Sequence, residues 1–350
     1  MKTTTPQPYG VHLVGSLPDG TFSSAADVFS SLPIKLLERL KRIPDGELGD
    51  RNQYIMWQEA VFPNHILKRT VAQNGDILTN SHIALELPDL KPIMYDDAAI
   101  SSYRAFAKAK DAGTIPPNVR FQVSLPSPIE PAATFVYESY QAEATRLYEQ
   151  QLTFALKRIQ LAIPPKELAI QWDIAVTIAL IESKRGRLNN PMFTCCFDDP
   201  LRRNIEALRE IAAAVSPEAE IGFHLCYGDI GHQHFVEPED MGLMVELSME
   251  LVREVHPVHD IAWIHMPVPK DRTDEHYFAA LTRLELPGTT ELFLGVLHPD
   301  GLENTIRRVE LARNAGATQF GVSTECGLGR TESQEADNLL DLASQISHPW

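Results

Sequence analysis

The sequence predicts an α/β fold, a (β/α)8 TIM barrel, on three observations. Short β-rich runs ending in Gly, Pro or polar clusters recur about eight times along the chain. Helical segments with apolar residues three and four apart separate most of them, which imposes parallel pairing and right-handed crossovers. Eight such units close a barrel, whereas five or six leave an open doubly wound sheet.

The first strand is expected at 11–14, a run of Val-His-Leu-Val before Gly15, and a weaker one at 40–43. Residues 59–116 are longer and less periodic than the other units, so they read as an insertion after the second strand, with extra helices or a short hairpin around 83–87. Strands follow at 121–125, 168–173, 221–226, 261–265, 292–297 and 319–323, each an apolar run closed by a polar or turn residue. Between them 140–161, 200–214, 238–255, 301–315 and 332–347 carry helical spacing. Neither an internal repeat nor a Pro/Gly/Ser linker divides the chain, so residues 1–350 read as one domain.

Composition excludes several classes. A hydrophobic fraction of 44% and a charged fraction of 22% are globular values. The net charge of −16 repels nucleic-acid phosphates and anionic lipid surfaces, so neither is an expected partner. The first residues lack an apolar segment with a small-residue cleavage site, and no stretch has the length of a membrane helix, so a soluble cytoplasmic protein is expected. Neither Gly-x-Gly-x-x-Gly after the first strand nor Gly-x-x-x-x-Gly-Lys-Ser/Thr occurs, which leaves dinucleotide and nucleoside triphosphate sites without support. Four cysteines are too few for a disulfide framework, and reduced thiols are expected.

In a barrel the C-terminal strand ends face one active-site mouth, so polar residues closing apolar strands are candidates. His224 and Cys226 lie two apart at such an end and project to the same side. Cys326 closes the last strand. Two thiolates and an imidazole favour zinc over magnesium or calcium. Asp173 ends an apolar strand, where burying a carboxylate is costly without a role or a partner. Cys195 and Cys196, adjacent and pointing oppositely, read as structural. His232 and His234 form a rival same-side pair in a solvated loop and read as lid or substrate contacts.

Several of these segments carry a resemblance. Val14-Gly15-Ser16-Leu17-Pro18, Asp45-Gly46-Glu47, Ile170-Gln171-Trp172-Asp173, His224-Leu225-Cys226-Tyr227, Leu297-His298 and Glu325-Cys326-Gly327-Leu328 are similar to short motifs of the catalytic barrel of cobalamin-independent methionine synthase. That barrel belongs to a superfamily that includes uroporphyrinogen decarboxylase-like proteins. The resemblance implies that His224, Cys226 and Cys326 bind Zn2+, that Ser16, Glu47 and Asp173 hold an amino-acid-like thiol, that Asp173 also takes part in catalysis, and that His298 is the general acid. Where the family closes its sixth strand with a Glu ligand, this chain has Ile261-Ala262-Trp263-Ile264-His265, so His265 is expected as the remaining ligand.

Two further departures bear on the substrate. Ile174 stands where the family has an acidic residue, and Leu125-Pro126-Ser127-Pro128 replaces its Thr-Gly-Pro segment. The expected activity is therefore zinc-dependent methyl or alkyl transfer to a small thiol, with a methyl or alkyl donor other than polyglutamyl folate. The alternative is a zinc-dependent lyase or hydrolase of a small metabolite, in which His298 or Glu325 moves protons.

Overall fold

Strands form where the apolar runs lie, because a strand covered on both faces buries consecutive side chains. The computed structural model describes residues 8–70, 84–190, 192–229 and 233–350. Seven strands form one sheet in chain order: β1 (Arg42–Pro44), β2 (Arg120–Pro126), β3 (Leu168–Ile174), β4 (Glu220–Leu225), β5 (Ile261–Pro267), β6 (Glu291–Leu297) and β7 (Gly321–Thr324). Every pairing is parallel. All C-terminal strand ends therefore lie on one side, and β3 is buried along its whole length.

The helices are α1 (Ala25–Lys35), α2 (Tyr95–Asp111), α3 (Glu130–Phe135), α4 (Glu138–Ala162), α5 (Val176–Lys184), α6 (Pro200–Ala212), α7 (Gly242–Glu254), α8 (Glu275–Phe278), α9 (Leu302–Asn314) and α10 (Ser333–Ile346). The five expected from spacing are α4, α6, α7, α9 and α10. Helix α6 starts where Asp199 accepts from Arg202 N and Pro200 takes a first-turn position that needs no N–H. Helix α5 gives no amphipathic signal because residues 176–182 are all buried. No helix among the described residues is long and apolar enough to cross a membrane.

The structure departs from expectation in two places. Residues 11–14 form a single parallel bridge, Val11 to Val322, rather than a ladder strand, so a complete eight-stranded barrel is not what the sheet shows. Side chains capture the carbonyls a ladder would use. Gln122 Nε2 donates to the Leu13 and Val14 carbonyls at 2.9 and 3.0 Å, and Gln171 Nε2 donates to Val14 at 2.6 Å. The segment still spans from β7, through His12 N to Val322 O, to the β1 side, through Leu17 N to Gly46 O.

The second departure is the stretch after the second strand. It holds 3-10 turns at Met56–Val61, Asn64–Ile66 and Leu87–Asp89 and then α2, with no strand at residues 84–87. Glu86 N donates to the Asp89 carboxylate at 2.7 Å, which closes the chain into a turn there. Residue 83 lies outside the described residues.

The N-terminal ends of the strands are joined by charge. Arg42, almost fully buried, donates to Glu220 at 2.5 Å and to Glu291 at 2.8 Å, and its guanidinium lies 4.2 Å from the Trp263 ring centroid. Lys41 also pairs with Glu291, and Arg120 with Glu220.

Just inside this end a register shift between Ile221 and Gly222 decides what meets at the other. It sets His224 opposite His265, so that Asp173, His224 and His265 occupy one row across β3, β4 and β5. Gly222 is required there, since a Cβ would meet the Trp263 ring at 2.0 Å.

Candidate metal centre and cavity

Registered neighbours in a parallel sheet point to the same side, so the two histidines meet. His224 Nδ1 lies 2.7 Å from His265 Nδ1, and His265 Nε2 lies 3.1 Å from the Thr324 carbonyl. A carbonyl only accepts, so His265 carries its proton on Nε2 and offers a lone pair at Nδ1. His224 must then donate from its own Nδ1. Its Nε2 is left as a bare lone pair. Burial lowers both imidazoles, His265 to about 3, and so keeps them neutral.

That lone pair faces two sulfurs. His224 Nε2 lies 3.9 Å from Cys326 Sγ, and Cys226 Sγ lies 3.8 Å from Cys326 Sγ, all three donor atoms falling within 4.8 Å of one another. Bonds of about 2.3 Å at the tetrahedral angle would hold two thiolates about 3.8 Å apart, so the donor set fits zinc. Cys326 is the thiol drawn down, by the hydrogen bond from Cys226 and by the Arg330 guanidinium 3.9 Å from its sulfur. Cys226 is pushed up correspondingly. Gly295 lets this corner form, because a Cβ would meet Glu325 Cα at 2.8 Å.

His265 is therefore not placed as the fourth ligand. Both its nitrogens are engaged, one by His224 and one by Thr324, and it stands behind His224, away from the sulfurs. Sequence reasoning expected a ligand where the sheet places a histidine whose two nitrogens meet His224 and Thr324. A partner that fixes a ligand's tautomer typically contributes 10- to 100-fold in metal affinity. His265→Ala is accordingly expected to weaken zinc binding by about that factor while leaving one zinc per chain at saturation. Competition against a chelator of known affinity measures this, and wild-type affinity in the variant would remove the role.

Ser16, Glu47, Asp173, His224, Cys226 and Cys326 line one cavity of about 200 Å³. Glu47 follows β1 in the left-handed region at φ 45°, a conformation most side chains avoid, with its N–H donating to Asp45 at 2.9 Å. Burial pushes its carboxyl up to about 7. Asp173 is raised well above the usual carboxylate range, first by burial and then by Glu47. Gln171 Nε2 donates to Asp173 at 2.8 Å and fixes its orientation. Neither carboxylate has an ion-pair partner among the described residues. The nearby guanidiniums are matched elsewhere, Arg51 with Asp45 at 2.8 Å and Arg330 with Asp229 at 2.6 Å. Ser16 Oγ accepts from Gly329 N at 3.3 Å.

His298 lines a neighbouring cleft of about 440 Å³ that shares Gly228, Asp229, Cys326 and Gly327 with the cavity. Its Nε2 donates to the Val268 carbonyl at 2.7 Å, and burial beside Arg308 lowers it to about 4. Nε2 is thus held by the carbonyl, and Nδ1 is the nitrogen left to take up or pass on a proton.

His234 reaches the same cleft, bridging Glu325 at 2.7 Å and Glu237 at 3.1 Å. Burial alone would lower His234, but the bond to Glu325 and its charge raise it to about 9. His232 lies outside the described residues. Cys195 and Cys196 stand apart from the sulfur cluster, with Cys196 N donating to Gln141 at 2.8 Å.

Sequence reasoning missed Tyr54, Glu130 and Gln171. Buried Glu130 accepts from the N–H groups of Ala175 and Thr177, both at 2.9 Å, at the start of α5, and from the Tyr54 hydroxyl, which also reaches the Asp173 carbonyl at 3.3 Å. A carboxylate in the first turn of a short helix is the one signal that could have found Glu130.

No family model and no curated protein matches this chain. Among solved structures it overlaps the homocysteine methyltransferase MmuM from Escherichia coli. The apo form is 15% identical, with 75% of this chain and 78% of that chain covered and a TM-score of 0.35. The metallated form is also 15% identical, with 81% and 76% covered and a TM-score of 0.34. An endo-beta-N-acetylglucosaminidase from Cordyceps militaris overlaps at 11% identity, 73% and 77% coverage and a TM-score of 0.32. Overlaps this slight carry no assignment of fold or activity.

Proposed function

We propose that His224, Cys226 and Cys326 hold one zinc ion, and that the chain is an enzyme transferring a methyl or alkyl group to a small thiol. The supporting observation is the Thr324, His265, His224 relay, which ends in an unprotonated Nε2 facing two cysteine sulfurs at the wall of the cavity. Bound there, zinc would supply the Lewis acidity that keeps an incoming thiol deprotonated at neutral pH.

The remaining work falls to the chain. Glu47 and Asp173 take the ammonium of an amino-acid-like thiol: neither forms an ion pair among the described residues, and the guanidiniums that act on Glu47, Arg51 and Arg330, are paired with Asp45 and Asp229. Gln171 orients Asp173, and Ser16 adds a hydroxyl at the rim. In the transfer the thiolate sulfur forms a bond to the electrophilic carbon, and the pair of the broken bond leaves with the carrier. The Gly10 to Leu17 segment we read as the eighth stave of a single barrel domain.

The test is product formation. Zinc-loaded protein incubated with homocysteine and a panel of sulfonium, quaternary ammonium and methyl ester donors should yield S-methyl thioether by mass spectrometry, and Cys326→Ser should not. A zinc-loaded protein that alkylates no thiol with any donor class would overturn the reading.

A further inference from the structure

The cavity has two unlike ends. Its floor carries Glu47, Asp173 and the sulfurs, while its mouth is walled by Met56, Met192, Phe193 and Phe235. Met56 and Met192 are 48% and 41% exposed, so this part of the lining reaches the surface. The Phe193 and Phe235 rings stand 4.5 Å apart between centroids.

This wall is fixed in place. Lys68 Nζ donates to the carbonyls of Met192 at 2.7 Å and Thr194 at 3.3 Å while also holding Ala133 at 2.6 Å. Gln141 Nε2 donates to Thr194 at 3.1 Å. Phe235 is held by its N–H to the Tyr227 carbonyl at 2.9 Å. Arg330, the cation that lines this cavity, is matched by Asp229.

We propose that this cavity selects an amine with an apolar body: the ammonium group on Glu47 and Asp173, an alkyl or aryl portion against Met56, Met192, Phe193 and Phe235. The proposal rests on the amine-binding reading of the two carboxylates given above and adds the class of the occupant. The two acidic side chains at the floor offer an anionic carrier no positive charge to pair with, and the mouth adds no uncommitted cation among the described residues. A volume of about 200 Å³ accommodates a molecule of the size of 2-phenylethylamine.

Isothermal titration of zinc-loaded protein with 2-phenylethylamine, ethylamine and 3-phenylpropionate tests it. Burial of the ring should make 2-phenylethylamine bind at least tenfold tighter than ethylamine, with 3-phenylpropionate weaker by the same margin. Met56→Ser and the double variant Met192→Ser/Phe193→Ser should each cut the preference for the aryl amine severalfold while ethylamine is unchanged. Met56 is half exposed, so that variant folds whatever becomes of Phe193. Metal-free wild-type protein should retain the preference, so the result stands even if the zinc reading falls. Equal affinity for the two amines, wild-type preference in both serine variants, or tight binding of the carboxylate would overturn the proposal.

Discussion

Protein purified without added metal is expected to carry about one zinc per chain, and the double variant Cys226→Ser/Cys326→Ser to carry none. The two sulfurs, 3.8 Å apart, supply two of the three donors of the cluster. A serine hydroxyl fills nearly the same space but does not give up its proton as a thiol does, so His224 would remain as a single neutral donor. Structural zinc contributes of order 10 kcal/mol through its ligands, and one imidazole retains only a small part of that. Elemental analysis after gel filtration reads the result. Unchanged circular dichroism would show that the variant is folded, and stoichiometric zinc in a folded variant would sink the site.

Arg42→Ala is expected to destabilise the fold by about 3 kcal/mol. Removing one partner of a buried charge cluster typically costs 3 to 5 kcal/mol, because the opposite charge is left desolvated. The low end applies here. Glu220 and Glu291 are 28% and 18% exposed in their side chains, and each keeps a second cation, Arg120 and Lys41. The lost contact with the Trp263 ring adds to the cost. Denaturant unfolding should show a lower midpoint with the slope unchanged. Arg42→Met should recover part of the loss, since its unbranched stem still packs against the Trp263 ring while Glu220 and Glu291 keep Arg120 and Lys41. A midpoint equal to wild type in Arg42→Ala would mean that the cluster does not hold the strand starts together.

Legibility followed exposure to simple patterns. Six of the strands lay where short apolar runs end in polar residues, and α4, α6, α7, α9 and α10 lay where apolar residues recur at three and four. Helix α5 escaped because it is buried all round, and Glu130 because its partners come from Ala175, the start of α5 and a distant tyrosine. His265 was legible as a polar residue closing a strand. Its part was not, since a one-residue difference in register separates a histidine that faces the two sulfurs from one that stands behind it.

What the sequence determined by itself is the supply of chemistry at one end of a parallel sheet. Polar residues closing apolar strands gather at one mouth when every strand runs parallel, and that put His224, Cys226, Cys326 and Asp173 on the same side, with Glu47 added by the resemblance. Only the tertiary structure decided how they divide the work. The bulge at Gly222, opened by the Trp263 ring, slides β5 by one residue and stands His265 beside His224. The Thr324 carbonyl then sets both tautomers. The apolar mouth and the Arg42 cluster are likewise joined only in space, from segments over a hundred residues apart, because strand register and loop closure depend on packing that no local pattern encodes.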